Sequence, residues 1–119
     1  MVLDWTQGAL ADGLACYRRN EFFLCHEHWE MVWLQCQEPE KSFLQALIQI
    51  TAAFHHWQNG NSRGAVSLLR KALRRLQLCP VGCGEFDVAS LHSETELWLQ
   101  RIERQQPCFP ATFPAIGPR

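Results

Sequence analysis

No run of the chain approaches 18 uninterrupted apolar residues, so no segment has the length that a bilayer's hydrocarbon core demands of a spanning helix. The opening MVLDWTQGAL has no basic segment ahead of a long apolar stretch, and no secretory signal is expected from it. An excess of either charge is also lacking. Eleven Lys and Arg face twelve Asp and Glu, for a net charge of −1 with His neutral. No whole-molecule field therefore draws the protein toward nucleic acid or a membrane surface. A glycine-rich phosphate loop, a nucleophile elbow, a Ser-His-Asp set in a workable frame and a CxxC pair are all missing. What remains is 119 residues, 47% hydrophobic, a size and composition suited to one compact domain with a single core.

Six cysteines are present, but the expectation is of reduced thiols in a cytoplasmic protein rather than a disulfide scaffold. Cys16, Cys25 and Cys36 fall within helical patterns, where a thiol acts as a small buried hydrophobe. Cys79 and Cys83 have an x3 spacing and would need two further ligands, such as His92 and Cys108, for structural zinc. A loop with free thiols is the simpler reading.

Hydrophobic periodicity predicts an all-α, single-domain bundle of about five helices and no strands. The helices are expected at about Leu3–Tyr17, Phe22–Cys36, Lys41–Asn59, Ser62–Gln77 and Asp87–Arg104. Gly8 and Gly13 weaken the first, each by about 1 kcal/mol against Ala. The third is apolar on more than one side, so more than one neighbour should cover it. Gly60 suits a left-handed position at the end of the third helix, and Asn61 suits the N-cap of the fourth. Residues 1–104 then form the bundle, and 105–119 form an extended or disordered tail with proline at 107, 110, 114 and 118. Phe109, Phe113 and Ile116 are candidates to pin that tail to the surface.

The chemistry-bearing residues concentrate in CHEHWEMVW, residues 25–33. At 100° per residue, Glu30 lies about 40° and Glu27 about 100° from His26, on the border of the apolar stripe of Phe22, Cys25, Trp29, Val32, Trp33 and Cys36. His26 and Glu30 at i, i+4 can offer two ligands to one metal, or a base and the carboxylate that orients it. The zincin motif is absent, because its second histidine is here Glu30. On the third helix, Gln45, Gln49, Ala52 and His56 form a polar stripe with a notch. With the two helices antiparallel, His26, Glu30, Gln49 and His56 can converge. A solvated face is the bland alternative. Cys25 and His26 diverge by about 100° and do not suit a nucleophile pair. The cations Arg63, Arg70, Lys71, Arg74 and Arg75 of the fourth helix read as a solvated face, and nucleic acid is not an expected partner.

These residues carry a resemblance. FFLCHEHWEMVW resembles the signature FFEAHExWExxW of the domain-of-unknown-function 309 family, and FLQALIQITAAFHHWQNGNSRGA resembles its second signature, FLQGLIQxAAAxHHxxxGNxRGA. The likeness extends over about residues 15–103. It implies a small all-helical domain of bacterial, archaeal and plastid lineages, labelled a predicted metal-dependent hydrolase. Carried over by position, the family's residues are His26, Glu27, Glu30, Trp33, Gln45, Gln49, His56, Asn61, Arg63, Gly64 and Ala65. The chain departs from the pattern at Leu24 and Cys25, where Glu and Ala are usual, and at Ala46, where Gly is usual. The missing carboxylate at Leu24 removes one candidate ligand.

Two readings follow. In the first, His26, Glu30 and His56 hold a divalent ion (Zn, Mn or Fe), with His26, Glu27 and Glu30 as the catalytic set and Glu27 or Glu30 as general base. Gln45, Gln49, Trp33 and Arg63 bind an unspecified small-molecule substrate, and Asn61 and Gly64 are structural. In the second, the same polar groups form a buried hydrogen-bonded network in a non-catalytic helical module that works through a partner, such as a second copy of the chain. A pairing of Arg63 with Glu27 or Glu30 would favour this second reading.

Overall fold

The computed structural model describes residues 3–79 and 86–117. It shows five α-helices: α1 (Gly8–Arg18), α2 (Phe22–Trp33), α3 (Glu40–Gln58), α4 (Ser62–Leu78) and α5 (Val88–Glu103). A single 3-10 turn, Pro110–Thr112, follows them. No strand occurs among the described residues, and the all-α reading holds. No helix of the described residues is long and apolar enough to cross a membrane.

Each helix packs on its sequence neighbours, α1 on α2, α2 on α3, α3 on α4 and α4 on α5. Helix α3 is the centre. Phe43, Leu44, Leu47, Ile50, Ala53 and Phe54 are at most 1% exposed, and Ile48 and Thr51 are buried on its other sides. That is the behaviour expected of a helix that is apolar on more than one side.

The helix ends follow local chemistry. Gly60 takes φ +78°, with Asn61 N–H donating to His56 O at 2.8 Å and Gly60 N–H to Trp57 O at 3.1 Å. These two bonds are the Schellman closure of α3. The Asn61 side chain then accepts from Gly64 N–H at 2.9 Å and caps α4. Asp87 caps α5 in the same way, accepting from Ser90 N–H at 3.0 Å.

Two boundaries differ from expectation. Helix α1 starts at Gly8, because Asp4 accepts hydrogen bonds from Thr6 N–H, Thr6 Oγ1 and Gln7 Nε2 and Gly8 sits at φ +66°. This turn swings Trp5 into the core, edge-on to Trp29 at 5.5 Å. Helix α2 stops at Trp33, where tighter turn bonds (Gln35 N–H to Val32 O, Cys36 N–H to Trp33 O) take over.

Beyond α5 the chain lies back on the bundle. Phe113 stacks on Trp98 at 4.5 Å and meets Phe22, Phe54 and Trp57. Trp98 Nε1–H donates to Thr112 O at 2.8 Å, the Tyr17 hydroxyl donates to Pro114 O, and Ala115 N–H donates to Glu94. Ile116 is 4% exposed, whereas Phe109 faces solvent.

Candidate metal centre

Helices α2 and α3 run antiparallel, and three contacts fix their register. Phe22 meets Phe54 at 5.5 Å, Phe23 meets His55 at 5.4 Å, and the Lys41 ammonium sits 4.4 Å over the Trp33 ring. In that register His26 stands level with Gln49 and Glu30 with Gln45. Helix α2 is anchored through Phe22, Cys25 and Trp29, each at most 1% exposed. His26 and Glu30 are left on the rim of that stripe, as their helical spacing predicts.

His26 Nδ1 lies 3.4 Å from Glu30 Oε2, with the two side chains 29% and 49% exposed. Glu27 completes the group. One ligand atom from each of His26, Glu27 and Glu30 falls within 4.8 Å of the other two. Two donors on one tetrahedral ion, with bonds of about 2 Å, stand roughly 3.3 Å apart. The His26–Glu30 pair already has that spacing. Glu27 is exposed and needs to swing inward by about 1–1.5 Å to match the same bond lengths. The donor set of one imidazole and two carboxylates fits Zn, Mn or Fe.

His56 is the expected ligand that does not join the group. Seven residues beyond Gln49, it stands near the start of α2 and roughly 10 Å along the axis from His26 at 1.5 Å per residue. Its Nδ1 is 3.1 Å from the Asn61 amide nitrogen, which ties it to the α3–α4 corner. Arg63 is displaced as well. It is exposed on α4, opens onto a groove between α4 and α5, and makes no ion pair with Glu27 or Glu30. Asn61 and Gly64 are structural. A Cβ on Gly64 would lie 2.6 Å from the Asn61 side chain that caps its amide.

Among the described residues, no buried hydrogen-bonded network joins these polar groups. Gln49 is 9% exposed, and its Oε1 has no hydrogen-bond partner among the described residues. Trp33 Nε1 is buried and also unpartnered among them. Gln45 is half-buried and makes no side-chain hydrogen bond to another described residue. The site is thus a surface group of three candidate ligands, His26, Glu27 and Glu30. Cys25, on the inner stripe of α2, is 0% exposed, and burial pushes its thiol above the ordinary range. The Cys79–Cys83 loop cannot be followed as a zinc site, because Cys83 lies outside the described residues. Cys16, Cys25, Cys36 and Cys108 are free thiols.

The family model for "Domain of unknown function (DUF309)" matches residues 10–68, from α1 into α4, and so takes in both signatures. The chain belongs to that family. No curated protein and no solved structure matches it.

Proposed function

We propose that His26, Glu27 and Glu30 bind a divalent cation on the open edge of α2, and that the chain is a metal-dependent hydrolase. The observation that carries this reading is the mutual closeness of three ligand atoms, 4.8 Å at most, on residues a turn or less apart. Three protein ligands with solvent on one side leave room for water or substrate, the arrangement of catalytic rather than structural sites. Bound there, the ion supplies Lewis-acid polarisation and an acidified water at neutral pH.

The chain's own groups do the rest. His26 and Glu30 are set at ligand spacing by the helix. Glu27 is exposed and retains a second carboxylate oxygen that can accept a proton from an attacking water. Gln49 Oε1 is an unengaged acceptor, so the group it suits is an O–H or N–H of the substrate. Trp33 Nε1, one turn beyond Glu30, offers the matching donor. The occupancy of the site, the cytoplasmic setting and the hydrolytic reaction all belong to this proposal.

The test is calorimetric titration of untagged protein with Zn²⁺, Mn²⁺ and Fe²⁺, followed by hydrolysis assays on chromogenic phosphate and carboxylate esters. One ion per chain is expected. His26→Ala and Glu30→Gln should each weaken it at least tenfold, as is usual when one ligand of a small set is removed. His56→Ala should leave binding unchanged. Binding that survives His26→Ala with Glu30→Gln, or no binding at millimolar metal, overturns the proposal.

A further inference from the structure

Helix α2 and its C-cap Leu34 present a second apolar edge that no described part of the chain covers. Leu24, Met31 and Leu34 are 46%, 62% and 67% exposed, and they recur at spacings of seven and three. That is the seam of a helix that packs against another helix. Glu27 stands within this seam and Glu30 beside it. The exposed face is therefore apolar and acidic together, and from Leu24 to Leu34 it runs about 15 Å.

The opposite character lies across the molecule. An open groove of about 870 Å³ runs along α4 and α5. Val66, Leu99 and Ile102 give it an apolar floor, and Arg63, Lys71 and Arg74 line its α4 wall. Arg63 to Arg74 spans about 17 Å along α4. Arg70, on the same wall, is already committed to Glu103. The basic wall and the acidic helix face are similar in length and opposite in charge, and each carries apolar side chains. Leu24, Met31 and Leu34 put three large apolar side chains on the outer side of α2.

We infer that the occupant of the α4–α5 groove is α2 of a second copy of this chain. Leu24, Met31 and Leu34 seat on the apolar floor, and Glu27 and Glu30 face Lys71, Arg74 and Arg63. The contact joins two different surfaces. Reciprocated about a two-fold axis it closes a dimer, and unreciprocated it propagates. The inference does not rest on the metal proposal, and its test runs in chelator.

Two charge-reversed chains decide it by sedimentation velocity. One carries Glu27→Lys and Glu30→Lys, and the other carries Lys71→Glu and Arg74→Glu. All four positions are exposed, and circular dichroism checks each fold. Wild type should associate as concentration rises, and each reversed chain alone should associate at least tenfold more weakly. An equimolar mixture should recover association, because each helix face then meets a groove of opposite sign. Wild type that stays monomeric at every concentration overturns the inference. So does undiminished association of the Lys71→Glu, Arg74→Glu chain, which would place α2 against α2 instead, and so does a mixture that fails to recover.

Discussion

Gly13 stands in the middle of α1, where helix propensity alone favours alanine by about 1 kcal/mol. Packing demands the reverse. A Cβ built on Gly13 lies 2.3 Å from Trp29 Nε1 and 2.5 Å from its Cδ1, far inside contact distance. The indole has nowhere to go. Trp29 is 0% exposed, with Trp5 edge-on at 5.5 Å and Tyr17 stacked at 6.4 Å. Its Nε1–H donates to Leu10 O at 3.2 Å, a bond that any retreat of the ring breaks. Overpacking a filled core costs about 1–3 kcal/mol, and stranding a buried donor costs about 1–3 kcal/mol more. Net of the propensity gain, Gly13→Ala should destabilise by about 3 kcal/mol at the middle of these ranges. At about 4 °C per kcal/mol for a chain of this size, the melting temperature should fall by about 12 °C.

Thermal and urea denaturation measure this directly. Trp29→Phe supplies the control, because a smaller ring vacates the space that the new methyl needs. The double variant should lose at least about 1 kcal/mol less than the two single losses combined, a coupling expected only of residues in contact. A Gly13→Ala protein that melts at or above wild type would refute the close approach of α1 to Trp29.

Phe113→Ala should cost about 2–3 kcal/mol, since the ring stacks on Trp98 and bridges Phe22, Phe54 and Trp57; denaturation reads the loss, and hydrogen exchange should show Thr112 to Ala115 released together. Glu38 accepts from the Ser42 amide and hydroxyl, which holds its carboxyl below its ordinary value of 4.5. A carboxyl depressed on folding contributes stability that is present above its unfolded pKa and lost as pH falls through the folded one. Glu38→Gln should therefore flatten the decline in stability below about pH 5, and an unchanged acid limb would show that the Glu38–Ser42 contact does not bear on stability.

Much of the fold is legible because it is written locally. The i, i+3, i+4, i+7 pattern of α4, the glycine after α3 and the asparagine before α4 each act within one turn, and each sits where its chemistry requires. The starts and stops that local pattern misplaces depend on groups farther off. Leu3 to Gln7 have the composition of a helix, but Asp4 binds its neighbours into a turn and Trp5 is drawn into a core that only the assembled helices provide. Gly13 has the look of a weak point, and it is a point of contact. Propensity cannot reveal that, since the ring that requires the glycine comes from Trp29, sixteen residues later.

The candidate site divides along the same line. The i, i+4 pairing of His26 with Glu30 is a property of one helix and can be read from the amino-acid order alone. The position of His56 cannot, because a helical wheel fixes the direction of a side chain and says nothing of its level on the partner helix. The outer seam of Leu24, Met31 and Leu34 is visible in principle from its spacing, but the stronger inner stripe of Phe22, Cys25 and Trp29 obscures it. Helix α2 thus serves two apolar edges with a polar strip between them, and Glu27 and Glu30 lie where the strip meets the outer edge. A cation held by those carboxylates cancels the charge that the α4–α5 groove would recognise. Metal loading and self-association, as proposed, are therefore opposed states of one helix face, and each is best measured with the other suppressed.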